Sequence, residues 1–258
     1  MTRSTVTALS ALGLAFSACA AAYPLQWQDN SLTYLYGTDF QLDPSTQQTV
    51  TFEHVSGWNV GDLFLFLDGI HYQGDENAFG YRDTFYGELS PRLSFGKLTD
   101  SINEDGLVRD VLLAATYELG RGDLNNYLLG PAVDLNLPGF DYFQLNTYYR
   151  YADQSEGGRG VWQITPVWAY TIPAGRSNIV IDGFIDWVVD NDSDDYHANL
   201  HFNPQIKYDL GKALGWSAKQ FYTGVEYDYW KNKYGVDNGD FGLDSNQSAI
   251  SLLAKYHF

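Results

Sequence analysis

Asp62, Phe64, Phe66 and Asp68 stand two apart in the segment Val60-Gly61-Asp62-Leu63-Phe64-Leu65-Phe66-Leu67-Asp68. In an extended chain alternate side chains share a face, so two carboxylates flank two rings. That mixture can hydrogen-bond a flat solute and stack against it, and base–aromatic stacking contributes about 1–3 kcal/mol per base. The same mixture recurs downstream at even spacings, which keep each set on one face. Arg82, Tyr86, Glu88 and Arg92 form one set, and Tyr142, Tyr148 and Arg150 a second. Asp182, Phe184 and Asp186 form a third, and Tyr222, Glu226 and Trp230 a fourth.

The residues that would support catalysis or metal binding are not arranged for it. The five histidines are His54, His71, His197, His201 and His257. His197 and His201 share a strand face but stand about 13 Å apart, with no third ligand nearby, so no metal is expected. Ser248, Ser251 and His257 do not have the spacing of a nucleophile, a base and an orienting group on one strand. Loop acids, Asp190, Asp192, Asp194 and Asp195 in one loop and Asp237, Asp240 and Asp244 in another, miss the calcium-loop pattern and read as a solvated rim. No phosphate-binding or nucleophile-elbow motif is present. The expectation is no catalytic residue, no metal, no cofactor and no enzyme.

The elements that must position these residues have a period of two. From Arg82 to Phe95 the even positions are polar, while the odd ones after Asp83 are Phe, Gly, Leu, Pro, Leu and Phe. His197 to Leu210 alternates more cleanly and far outruns the roughly 5–6 residues of an ordinary strand. Such length suits a tilted strand crossing a bilayer, whose apolar band takes about 9–11 residues. The last segment, Gln247 to Phe258, alternates likewise and ends on an aromatic on its apolar face. Twelve strands are expected, over 27–40, 46–56, 58–72, 81–98, 108–118, 126–135, 140–151, 161–170, 177–189, 195–210, 219–231 and 247–258. An even number closes an antiparallel barrel with both ends on one side. The longer polar connections should face outside, among them 73–80, 152–160, 190–194 and 232–246. Short turns face the periplasm, except 99–107, which should carry a small helical turn. Pro91, Pro166 and Pro204 fall inside strands and lack a ladder donor, so bulges or strand ends are expected there.

Ahead of these strands, Arg3, the apolar run Val6 to Phe16, and Ala18-Cys19-Ala20-Ala21-Ala22 compose a secretory signal peptide over 1–22. Cleavage after Ala20 or Ala22 removes Cys19, the only cysteine, and leaves a single domain over 23–258. The formal charge of −17 excludes nonspecific binding to a nucleic acid polymer. Twenty Tyr, fifteen Phe and seven Trp give an aromatic share of 16%, which favours strands and a membrane interface over a helical enzyme. With apolar faces turned to lipid, the polar sets above line the lumen. Acids dominate there, so neutral or cationic solutes are favoured over anions. A rival remains open: Arg82, Arg92 and Arg150 pairing with Glu88, Glu118 and Glu226 would fill the barrel, leaving the outer loops as a recognition surface. A soluble exported β-protein is a third reading.

At the segment 60–68, and more specifically at Tyr86-Gly87-Glu88-Leu89-Ser90-Pro91-Arg92-Leu93-Ser94-Phe95-Gly96-Lys97-Leu98, the chain resembles the Tsx-type nucleoside-specific outer-membrane channels, in their OmpK-like branch. Asn203-Pro204-Gln205, Tyr227-Asp228-Tyr229-Trp230 and the terminal Phe258 add to the likeness. The resemblance implies a monomeric twelve-stranded barrel in the outer membrane of a Gram-negative bacterium, passing nucleosides by passive diffusion through a narrow lumen. It also implies use by bacteriophage in some members. It carries over by position to Asp62, Phe64, Phe66, Asp68, Glu88 and Arg92. The partners expected are outer-membrane lipid, small solutes such as nucleosides, and periplasmic chaperones and the barrel assembly machinery during biogenesis.

Overall fold

In hydrocarbon every backbone N–H and C=O must find a partner within the protein, so spanning strands are forced into a closed ring. A computed structural model, describing residues 24–77, 80–122, 124–152, 159–189, 191 and 196–258, shows that ring. The expected signal peptide with Cys19, and the acids Asp190, Asp192, Asp194 and Asp195, lie outside the described residues. The strands are β1 (Leu25–Thr38), β2 (Gln47–Trp58), β3 (Gly61–Tyr72), β4 (Asp83–Ser94), β5 (Val108–Gly120) and β6 (Leu124–Leu135). They continue with β7 (Phe140–Ala152), β8 (Val161–Ala174), β9 (Ser177–Val188), β10 (Asn199–Asp209), β11 (Phe221–Lys231) and β12 (Gln247–His257). Each pairs antiparallel with its sequence neighbours, and β12 returns to β1 through Ser31↔His257 and the pairs up to Thr38↔Ile250. Phe258 donates its backbone N–H to the Asn30 carbonyl at 3.0 Å, which ties the aromatic terminus to the closing seam.

Polarity sorts the faces as alternation requires. On β12, Ala249, Ser251, Leu253 and Lys255 are buried, whereas Ile250, Leu252 and Tyr256 are exposed to the lipid side. The outer wall carries aromatics near both rims. Tyr117 stacks on Tyr127 and Tyr149 meets Trp162 at one rim. Phe140 packs edge-on with Phe143 and Tyr170 at the other. These are the interface girdles of a transmembrane barrel. No helix among the described residues is long and apolar enough to cross a membrane.

Two short helices sit at the end that holds the chain termini. The helical turn expected within 99–107 instead occupies α1 (Phe95–Thr99), so β4 stops at Ser94 rather than at 98. The cause is a polar cap: the Ser94 hydroxyl accepts from Lys97 N at 2.8 Å and donates to Asp110 at 2.5 Å. A second, unforeseen turn, α2 (Leu210–Ala213), follows β10, where Asp209 accepts from Lys212 N and Lys219 N. Register shifts at Leu25/Trp27, Val108/Asp110 and Phe140/Tyr142 all fall near this same end.

The prolines correct one expectation. Pro91, Pro166 and Pro204 lie inside β4, β8 and β10 with neither a bulge nor a strand end. Each keeps an unbroken ladder on one side, pairing with Leu63, Leu145 and Gly183. On the other side the ladder opens and closes again in the same register, as from Leu89↔Tyr117 to Arg92↔Ala114. Pro131 in β6 behaves alike, between Leu129↔Tyr149 and Ala132↔Asn146. The missing N–H removes one bond without inserting a residue. Interior side chains bridge two of the openings: Thr116 donates to Ser90 at 3.0 Å, and Thr165 to Asp186 at 2.6 Å.

At one such opening the strands approach too closely for a side chain. A Cβ on Gly130 would meet the Thr147 carbonyl oxygen at 1.9 Å, whereas one on Gly69 finds nothing nearer than 3.9 Å. Gly130→Val is therefore expected to abolish the compact, heat-modifiable species on cold SDS electrophoresis. Gly69→Ala should retain it.

Candidate functional site

The interior wall is built by register. On β3 and β4, Asp62 pairs with Arg92, Phe64 with Ser90, Phe66 with Glu88, and Asp68 with Tyr86. Directly paired residues share a face, so the candidates of both strands form one continuous surface inside the barrel. The rings run in sequence, Phe64 to Phe66 at 5.8 Å between centroids and Phe66 to Tyr86 at 5.7 Å. Across the barrel, Asp186 pairs with His201 and Phe184 with Asn203. His201 in turn stacks on Trp230 at 3.9 Å and 11°.

Charge is distributed unevenly along the axis. Towards the end that holds the termini, every inner-wall cation is held by carboxylates. Arg92 grips Asp62 through two bonds of 2.8 and 2.7 Å, and it reaches Asp134 at 2.8 Å. Lys207 meets Asp182 at 2.7 Å, and Lys255 meets Glu53 at 2.5 Å. Farther along β5 and β7, Arg150 is clamped bidentately by Glu118 at 2.7 and 2.8 Å and also donates to Gln163. Beside these belts lie carboxylates that accept from neutral donors, Glu88 directly opposite Glu118. Thr51 serves Asp68 at 2.5 Å, Tyr86 serves Glu88 at 2.7 Å, and Gln205 serves Glu226 at 2.8 Å.

The outer mouth is narrowed by loops folded inward. Lys233, on the connection after β11 and 3% exposed, donates to the Gln41 carbonyl at 3.0 Å, to Asp43 at 3.2 Å and to Gln247 at 2.8 Å. Tyr72 and Tyr234 also donate to Asp43. Tyr196, from the connection before β10, lies over the Arg150 guanidinium at 5.7 Å and packs with Val161 and Val188. His197 N donates to the Gly235 carbonyl at 2.9 Å, which joins the two loops.

Most expected positions share this interior, with three qualifications. Arg82 stands outside β4, on the exposed rim, 3.8 Å from Glu76, because β4 begins only at Asp83. Tyr148 is buried among Leu112, Ala114, Leu128 and Ala132, so its ring packs against the wall and offers no free face. Tyr142 opens to solvent near the periplasmic end, whereas Tyr222 is buried there, 5.6 Å from the His257 ring. Arg150 pairs with Glu118 as the sequence allowed, but Arg92 takes Asp62 and Asp134 rather than a glutamate. Glu53, Asp134 and Lys233 were not foreseen. β6 carries apolar residues on both faces, which hides the parity of Asp134, and Lys233 lies in a loop. The histidines stay dispersed, and no group of three or more metal-binding side chains exists among the described residues.

The comparisons agree with this geometry. The family model described as "Nucleoside-specific channel-forming protein, Tsx" matches residues 22–258. Among solved structures, the KdgM porin is similar at 14% identity and a TM-score of 0.51, covering 88% of this chain and 99% of that one. The NanC porin is similar at 13% identity and a TM-score of 0.51, covering 87% and 98%. At such identities the likeness is one of fold. No curated protein matches the chain.

Two outcomes test the site's construction. Arg92→Leu leaves Asp62 and Asp134 without their cation, and it should destabilise the barrel by about 3–5 kcal/mol in urea titration from detergent. Lys233→Ala frees the inward loop and should raise single-channel conductance in a planar bilayer.

Proposed function

Since the chain belongs to the Tsx family of nucleoside-specific channel-forming proteins, we propose that its lumen carries nucleosides, with Phe64, Phe66 and Tyr86 as the stacking face. The protein is an outer-membrane β-barrel channel for passive diffusion of small solutes, and it is not an enzyme. The observation that carries the nucleoside reading is the run of three rings bordered by Asp68 and Glu88. A nucleoside offers a flat base to the rings and hydroxyl and amino donors to the carboxylates. Stacking worth about 1–3 kcal/mol per base holds a solute weakly enough to release it. The acidic wall favours neutral and cationic solutes over anions. One similar structure is described as the KdgM porin in complex with oligogalacturonate. Such a polyanion is disfavoured by the carboxylates here.

The test is conductance in a planar bilayer with adenosine, thymidine and a disaccharide added in turn. Nucleosides should reduce the current, the disaccharide should not, and Phe66→Ala should weaken the nucleoside effect about tenfold or more. Equal indifference to all three solutes would leave a general pore. The inward loops favour a second reading, a barrel closed at rest whose outer surface serves recognition. Phe241, 94% exposed at the turn Asp240–Gly242, would be its prominent feature. Folded protein with no conductance steps would select it.

The leader over 1–22 belongs to the same proposal, with the barrel acting as a monomer. The mass of the exported chain should correspond to cleavage after Ala20 or Ala22, without Cys19.

A further inference from the structure

Among the described residues, the inner-wall cations Arg92, Arg150, Lys207 and Lys255 are engaged by carboxylates of their own belts. The carboxylates beside those belts have no lysine or arginine hydrogen-bond partner among the described residues. Asp68, Glu88, Asp186 and Glu226 accept only from hydroxyls and amides. They also face one another, Glu88 with Glu118 and Asp186, and Asp68 with Glu226, Glu53 and Asp228, while Arg150 stands within Coulombic reach of Glu88 and Asp186, and His201 of Asp186 and Glu226, without bonding them. A concentration of acceptors is not in itself a site.

Two further features make it one. Asn146, only 4% exposed, turns its side chain inward with Oδ1 lacking any hydrogen-bond partner. It pairs in register with Thr165, whose hydroxyl donates to Asp186, so this unused acceptor adjoins the same layer. Rings interleave with the acids as well. Phe66 is paired with Glu88, Tyr86 with Asp68, and Phe184 precedes Asp186 on the same face of β9. Carboxylates with no lysine or arginine partner, beside one unused amide oxygen, call for a ligand that donates and is positive, and ring faces call for one with a flat or apolar body. A hard metal ion does not fit. It would need six to eight oxygens converging at about 2.3–2.6 Å, and no such group exists among the described residues.

We propose that this middle layer of the lumen, Asp68, Glu88, Asp186 and Glu226 with Asn146 and the Phe66, Tyr86 and Phe184 rings, binds organic ammonium ions that carry an aromatic or apolar body. The inference rests on the channel reading for access to the layer, but binding itself does not require conductance.

The experiment is isothermal titration calorimetry on the full, folded protein in detergent. Phenethylammonium is the probe, with 2-phenylethanol, methylammonium and 3-phenylpropionate as controls. Phenethylammonium is expected to bind about tenfold or more tightly than the neutral ring compound, the ringless cation or the anion. Glu88→Gln and Asp186→Asn, which keep the local hydrogen bonds, should each weaken it about tenfold. Asn146→Asp adds a charge at the unpartnered oxygen and should tighten it, a gain that misfolding cannot imitate. Equal affinity for 2-phenylethanol, or unchanged affinity in both folded carboxamide variants, overturns the proposal. Conductance in bilayers separates the two readings: binding without conductance steps removes the channel and keeps the site, while conductance without binding removes the site and keeps the channel.

Discussion

Closure of the hydrogen-bond ladder governs the rest of this structure. A bilayer offers the backbone no partner, and an unpaired group there costs several kcal/mol. β12 must therefore meet β1, and every strand must expose one face to lipid and the other to the lumen. The four prolines show how firmly that holds. Each removes one donor, yet the register on either side of the opening is unchanged. Pairing on both sides of the opening, with side-chain bridges at Ser90–Thr116 and Thr165–Asp186, outweighs one absent bond.

Given closure, the lumen must reconcile charge with confinement. Lone buried cations would be costly, and among the described residues this wall contains none. Arg92, Arg150, Lys207 and Lys255 are each neutralised locally. What remains is a surplus of acceptors, set between rings. An acidic wall of this kind repels anions by its field. The belts also stiffen the wall, since each ion pair joins side chains from different strands. Arg92 links β3, β4 and β6, and Arg150 links β5, β7 and β8.

The outer mouth follows a different rule. Its loops are not bound by the ladder, and they turn inward because Lys233 finds three acceptors there while Tyr72 and Tyr234 complete the shell of Asp43. Tyr196 fills the space over Arg150. The narrowing is thus made of a few polar contacts on long connections and not of the wall itself.

The period of two, readable residue by residue, determined the barrel, the strand count and the side of the wall on which Asp62, Phe64, Phe66, Asp68, Glu88 and Arg92 stand. Side-chain direction in a paired strand is set by parity alone, and lipid punishes any other choice. Parity says nothing about which strand lies across the lumen or where a strand ends. The partnership of Arg92 with Asp134, the stacking of His201 on Trp230, and the placement of Arg82 on the rim rather than inside needed the closed ring and its register. So did the inward path of Lys233, because a loop's course depends on acceptors gathered from the β1–β2 connection and from β12, which lie far apart in the chain.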